Sequence, residues 1–501
     1  MKLFHIRGGV HPAGNKERSA AQAIADLPLA PLLHVPMQQH SGAPALPVVR
    51  RGEQVLKGQL IGHSQGTVSA PVHAPTSGRI MGVGSYPAHH PSGIPVRTIS
   101  LKPDGEDRWI TPSDPLVDPF TLSGEEIAAR VSAAGVVGMG GAAFPAGVKL
   151  NLRTRYRLHT LVINGAECEP YLTCDDRLMR EQPEEVLDGV RIMAHALGVS
   201  HILIGIENNK PEAQAALREA ARKALATQDA AAPTIRVVGL PTRYPMGSAK
   251  HLVKALSGRE TPARGRTADL GMVVYNAATA FAVHEALRLG RPLVSRLVTV
   301  TGGAIRYPAN LRVHLGTPVE RLIEFCGGFR EPPARLVSGG PMMGEPLPSV
   351  RVPVVKGSMG ILALTAQEVA QREEGPCIRC GNCVRACPCG LLPLEMAAHA
   401  RVGNLERVVG LGLLDCISCG SCAYVCPAGI PLVQYFNYAK GELAARQRAK
   451  HKQMETRRLA EQRTARLEAL QRAKREALAQ RKAAAAKPMA PPRPSPGEAR
   501  I

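Results

Sequence analysis

Two cysteine runs constrain this chain more than any other feature. The first, CIRCGNCVRACPCG, spans residues 377–390, and the second, CISCGSCAYVCP, spans 416–427. Both fit C-x2-C-x2-C-x3-C-P, the spacing by which bacterial ferredoxins hold two [4Fe–4S] clusters. Three closely spaced thiolates wrap one face of a cubane, and the fourth, set before a proline, reaches the other cluster. The expected ligand sets are Cys377, Cys380, Cys383 and Cys426 for one cluster, and Cys416, Cys419, Cys422 and Cys387 for the other. Gly381 and Gly420 permit close backbone approach, so that neighbouring N–H groups face cluster sulfur. Two four-cysteine zinc sites are the alternative, but zinc knuckles pair CxxC units and do not use triplets followed by Cys-Pro. Cys389, beside Pro388, is an extra thiol and is not expected to be a ligand. Two neighbouring clusters imply one-electron transfer along a short wire.

Clustered CxxC spacing, without the apolar core of a signal peptide in MKLFHIRGGVHPAG, reads as metal ligation in a reducing, cytosolic compartment. No run of eighteen apolar residues occurs, so any membrane role is expected to be peripheral. The net charge of +21 is uneven: residues 440–501 carry 17 Lys and Arg against 6 Glu. Nucleic-acid binding by this tail is not expected, because it contains no aromatic residue for base stacking.

At 501 residues several domains are expected. Residues 48–80 alternate short apolar runs with Gly, Pro and Ser at turn spacing, which predicts a small β module within a domain over 1–115. The phrases GEQVLKGQLIG and APTSGRI resemble barrel-sandwich carrier domains. The hairpin segment SAPVHAP lacks the carrier lysine, however, and Lys57 lies on an earlier turn, so a structural role is expected. Over 123–290, apolar runs such as HTLVING and HILIGI alternate with helical stretches 183–198 and 211–226, predicting an α/β domain with a largely parallel sheet. Residues 293–350 read as a small α+β, β-grasp-like module, and 366–437 as a helical two-cluster ferredoxin domain. Residues 440–501 read as a basic helical tail, disordered at PMAPPRPSPG.

A cluster wire needs a donor, and a flavin is the usual device between two-electron and one-electron carriers. In GVVGMGGAAFPAGVKL (135–150), Gly138, Gly140 and Gly141 can turn N–H groups toward a phosphate, and Lys149 supplies a cation. Taken alone, such a loop is equally a tight strand–helix turn. Cys168 and Cys174 have no further thiols nearby and read as packing or pocket-wall residues. Glu167, Glu169, Asp175 and Asp176 read equally as solvated loop charges. The sixteen histidines, with His89-His90 the only adjacent pair, read as structural or surface residues.

GMGGAAFPAGVKL, NGAECEPYLTCDDRLM, YPMGSAK, LSGRETPARG and YNAATAFAVHEAL stand in the order of matching segments in the NADH-binding flavoprotein of respiratory complex I, which this region resembles. The β module, flavin domain, α+β module and two clusters, in that order, resemble the C-subunit family of Rnf (Rsx) ion-translocating electron-transport complexes over about residues 1–440. The resemblance implies non-covalent FMN against Gly138, Gly140, Gly141, Lys149, Asn164, Glu167 and Asn276. It implies NADH as donor, with Phe144 and Glu169 stacking and holding the nucleotide, and it matches Tyr244 and Gly247 to a Tyr-x-x-Gly. One departure follows: Ser248 and Ala249 stand where complex I has two glutamates, a change that FMN binding survives more easily than NADH docking.

The implied function is an NADH-dependent oxidoreductase and translocase-complex subunit, peripheral on the cytoplasmic face of the bacterial inner membrane. It would pass electrons through FMN and two [4Fe–4S] clusters to membrane subunits, and onward to ferredoxin or a redox regulator. The basic tail would add contact with anionic lipid. The alternatives are a soluble flavin/iron–sulfur reductase resembling cobalamin reductases, and a non-catalytic electron wire or scaffold.

Overall fold

Short strands broken by Gly and Pro pair early in the chain. Leu33–Pro36, Pro95–Pro103, Gly78–Pro87 and Gln54–Val55 form one antiparallel sheet in that order, and Leu46–Pro47, Leu60–His63 and Val72–His73 form a second. Leu33, Val35, Ile61, Val72, Ile99 and Leu101 are fully buried in the core that both sheets share. Lys57 does not project from this module as a carrier. Its Nζ is 2.5 Å from Asp107 and lies over the Trp109 ring. The computed structural model describes residues 3–111, 117–226, 232–369 and 373–486. The expected disorder of PMAPPRPSPG falls outside them.

The α/β domain begins where Ser123 accepts the Glu126 N–H while Glu126 accepts the Ser123 N–H, a reciprocal cap on helix Gly124–Ala133. Its four strands are all parallel, in the order Thr234–Leu240, His201–Glu207, Thr160–Gly165, Met272–Asn276. Between Thr160–Gly165 and Met272–Asn276 the winding reverses. In open parallel sheets, ligands bind in the crevice at the carboxyl ends of strands flanking such a switch point. Asn164 and Asn276 are register partners at those ends.

A six-stranded sheet follows, in the order Ala25–Asp26, Ala309–His314, Ser295–Thr301, Gly360–Leu364, Arg335–Ser338, Glu345–Pro346. Helix Val319–Phe325 packs into its core through Leu322 and Ile323. The sheet thus draws a strand from the N-terminal segment and another from beyond residue 350. The cysteine region is helical, with Asn382–Ala386, Pro393–Arg401, Leu405–Gly410 and Ser421–Tyr424. The chain divides into two units, Met1–Phe436 and Asn437–Ile501. Helix Leu432–Ala485 starts before that boundary and supplies nearly all of the second unit's described residues, which are exposed from residue 445 to 486. Among the described residues, no helix is long and apolar enough to cross a membrane.

Candidate functional site

A pocket of about 390 Å³ lies at the switch point. Gly138, Gly140, Asn164, Asn276, Tyr244 and Gly247 line it. Phe144, Lys149, Glu167 and Glu169 also line it, whereas Gly141 turns away into an adjoining cavity. A Cβ on Gly140 would only make ordinary contact with the Asn276 side chain at 3.5 Å, and the loop position whose backbone favours glycine is Gly141, at φ of 99°. The loop is held from below, because Met139 N–H donates to Thr279 Oγ1 at 2.9 Å and the buried Arg296 guanidinium donates to the Met139 carbonyl at 3.3 Å. Asn276 caps helix Ala277–Arg288, accepting from Ala278 N–H at 2.9 Å, and its amide donates to Asp175 at 2.5 Å. Asn164 donates to the Gly247 carbonyl at 2.8 Å.

Lys149 donates to the Val274 carbonyl and lies 4.5 Å from the Tyr275 ring centre. Burial lowers its pKa to about 8, and among the described residues it has no carboxylate partner. A desolvated lysine that pairs with none of the pocket's carboxylates, beside a glycine loop, suits a phosphate monoester such as that of FMN.

The acidic segment is not solvated. Glu167, Asp175 and Asp176 are buried. Glu167 accepts N–H bonds from Asp175 at 2.7 Å and Asp176 at 3.3 Å, at the start of helix Cys174–Glu181. Desolvation raises its pKa well above the usual carboxylate range, opposed by Lys16 at 3.9 Å. Lys16 also donates to the carbonyls of Glu167, Glu169 and Leu172, shaping the whole segment. Glu169 accepts from Met342 N–H at 3.0 Å and lies 3.4 Å from the Tyr244 hydroxyl oxygen, and burial pushes it up to about 7. Cys168 is a pocket wall, accepting from Gly247 N–H at 3.2 Å. Ser248 Oγ and the His251 ring nitrogen are 3.0 Å apart. Lys16 carried no local sequence signal, since its partners lie more than 150 positions away.

The cysteines gather around two further cavities. Cys377, Cys380 and Cys383 share one with Cys426, while Cys387 shares the other with Cys416, Cys419 and Cys422. Cys389 also lines the second. The two loops repeat one backbone shape: Arg379 and Ser418 have φ of 53°, and Gly381 and Gly420, at φ of 74° and 82°, precede the helices Asn382–Ala386 and Ser421–Tyr424. Such left-handed positions turn successive N–H groups into one concavity, fitting the anionic sulfurs of a cluster. Ser418 N–H already lies 3.4 Å from Cys416 Sγ.

The second cavity adjoins the flavin-type pocket. Ile417 lines both, and Tyr244, 2% exposed, donates its O–H to the Cys419 carbonyl at 2.6 Å. His251 bonds the Pro388 carbonyl at 3.1 Å, and Asp415 accepts from Arg264 N–H at 2.7 Å. Neither Ile417 nor His251 was marked by the sequence, because each matters only through its neighbour across the interface.

Four family models match in chain order: an RnfC barrel sandwich hybrid domain over residues 4–106, a Nuo51 FMN-binding domain over 131–285, an SLBB domain over 297–346, and a 4Fe-4S dicluster domain over 376–430. The C subunit of the ion-translocating oxidoreductase complex of Rhodobacter capsulatus is 56% identical over 451 residues, covering 90% of this chain and 85% of that protein. The protein of the same name from Pseudomonas aeruginosa is 45% identical, covering 93% and 59%. The C subunit of the proton-translocating ferredoxin:NAD(+) oxidoreductase complex of Clostridium ljungdahlii is 43% identical, covering 90% and 96%. With its glycine cradle and paired cysteine cavities in the same order as those matched domains, this chain belongs to the C-subunit family of Rnf-type ion-translocating oxidoreductase complexes.

Proposed function

We propose that this chain is the peripheral electron-input subunit of a membrane-bound ion-translocating complex. It takes electrons from NADH and delivers them singly to membrane partners, and through them to ferredoxin or a redox regulator. FMN supplies the exchange between hydride and single-electron chemistry, and two [4Fe–4S] clusters supply the single-electron relay. The name of the Clostridium ljungdahlii relative, part of a ferredoxin:NAD(+) oxidoreductase complex, supports NADH as the donor and ferredoxin as a partner.

Gly138, Gly140 and Lys149 would hold the FMN phosphate, and Asn164 and Asn276 would orient the rest. Cys387, Cys416, Cys419 and Cys422 would hold the cluster nearer the pocket, and Cys377, Cys380, Cys383 and Cys426 the farther one. The observation that carries this reading is the wall common to pocket and nearer cluster cavity, Ile417, with the Tyr244 hydroxyl bonded to the Cys419 carbonyl beside it. Anaerobic titration of the holoprotein with NADH, recorded by visible and EPR spectra, tests it. Flavin bleaching with reduction of both clusters, and NADH:ferricyanide turnover, are expected. Clusters that dithionite reduces but NADH does not would leave only the wire.

A further inference from the structure

The pocket opens into a second cavity of about 800 Å³, and Gly140, Ala142, Glu169, Leu172, Met343 and Met359 line both. The outer cavity is walled by three parts of the fold: the glycine loop, the turn at 338–347, and two segments of the N-terminal β module, 38–41 and 88–94. That module is strapped in place. Ser41 donates its hydroxyl to the Ala142 carbonyl at 2.7 Å and its N–H to the Ala143 carbonyl at 3.0 Å. His89 spans from the Pro353 carbonyl at 2.9 Å to Ser338 Oγ at 2.5 Å, and the Tyr86 hydroxyl donates to the Arg351 carbonyl at 3.2 Å.

The two cavities differ in chemistry. The inner one has the Lys149 cation together with Glu167, Glu169 and Asp175. The outer one, among the described residues, has no Lys or Arg in its wall, and its charged side chains are Glu169 and Glu345. It offers uncharged polar groups, Gln38, Ser41, His90 and Ser92, beside Ile94, which is 65% exposed. His40, only 4% exposed, bonds the Ala43 carbonyl through Nε2 and has no partner for Nδ1 among the described residues. Burial, with the Lys356 cation behind it, lowers the pKa of this ring to about 4, so the wall is neutral here, and Nδ1 itself is shielded from solvent. A ligand spanning both spaces would meet the Lys149 cation at its inner end and an uncharged polar wall at its outer end.

We propose that the outer cavity binds the adenosine half of the nicotinamide dinucleotide, which makes the N-terminal β module part of the nucleotide site. This rests on the donor reading above. It supplies docking contacts in a chain whose Ser248 and Ala249 provide no carboxylates at the Tyr244 loop. It also sets specificity: without a cation in that wall, a 2′-phosphate has no counter-charge and faces Glu169 and Glu345.

The test uses the anaerobic holoprotein, with FMN and iron content as the check of folding. His90→Ala combined with Ile94→Ala, both at exposed positions, should weaken binding of ADP-ribose, measured by calorimetry, about tenfold. It should lower the ratio of kcat/KM for NADH over reduced nicotinamide mononucleotide by a similar factor. Ser92→Lys should raise the NADPH to NADH ratio about fivefold. Unaltered ADP-ribose affinity and unaltered ratios in the folded variants overturn the inference. A wild-type protein that binds ADP-ribose with these sensitivities, but whose flavin neither NADH nor the mononucleotide reduces, overturns the donor reading and leaves the adenosine site standing.

Discussion

Lys149 carries an unbalanced charge. Burial lowers its pKa to about 8 from the ordinary 10.5, so the flavin-free fold pays for the cation below pH 8 and gains stability as pH rises from there toward 10.5. A bound phosphate reverses the preference and holds the proton on. FMN affinity is therefore expected to fall as pH rises through about 8, measured by equilibrium dialysis of flavin-free protein. Lys149→Ala should weaken FMN by about 1.5–3 kcal/mol, the worth of a charge-assisted contact, and should flatten that pH dependence. Full flavin occupancy in this variant would remove Lys149 from the site. The glycines and lysine of this loop were legible in the sequence. The buried pairing of Glu167 with Lys16 was not, because nothing near either residue announces a partner so far along the chain.

Elements meet at close quarters behind the pocket. Helix Pro183–Leu197 crosses helix Ala277–Arg288 at Gly189, where a Cβ would lie 1.8 Å from the Ala280 carbonyl oxygen. Gly189→Ala must push apart the helix that Asn276 caps, and is expected to cost at least about 1–3 kcal/mol in thermal unfolding and to loosen FMN. A second close approach sits at the cysteine region. Gly8 has φ of 61°, and a Cβ there would lie 2.5 Å from the Cys387 carbonyl oxygen. The N-terminal segment passes beneath that loop, with Gly9 N–H on the Ala386 carbonyl at 2.9 Å and Val10 paired to Tyr244. Cys387 faces the cavity of Cys416, Cys419 and Cys422. Cys387→Ser should accordingly damage the cluster held by that second run, seen in EPR and iron analysis. Loss of the Cys377–Cys383 cluster instead would refute the crossed ligation.

For the whole molecule, the basic tail poses a question of attachment. Its apolar side chains, Met454, Leu459, Leu467, Leu470 and Leu478, are each more than half exposed and too sparse for a membrane-inserting face. Its charge is another matter: anionic lipid attracts each Lys or Arg near a surface by about 1 kcal/mol, within a Debye length. Truncation after Tyr438 is expected to leave FMN, clusters and NADH oxidation intact while making salt release from anionic vesicles easier. Equal retention of both proteins across a salt series would reduce the tail to a solvated extension.

The sequence by itself determined what short-range spacing can encode. The two Cys-Pro runs, the glycine loop with Lys149, the helical stretches 183–198 and 211–226 and the order of modules all rest on geometry within a few turns of chain. Only the tertiary structure decided how these parts face one another. Parallel register sets Asn164 beside Asn276 at the switch point, and helix and strand packing puts Ile417 between pocket and cluster cavity. The β module closes the outer cavity through contacts from residues 38–41 to the loop at 140–143. Such juxtapositions arise from sheet register and shared cores, which no local pattern of residues specifies.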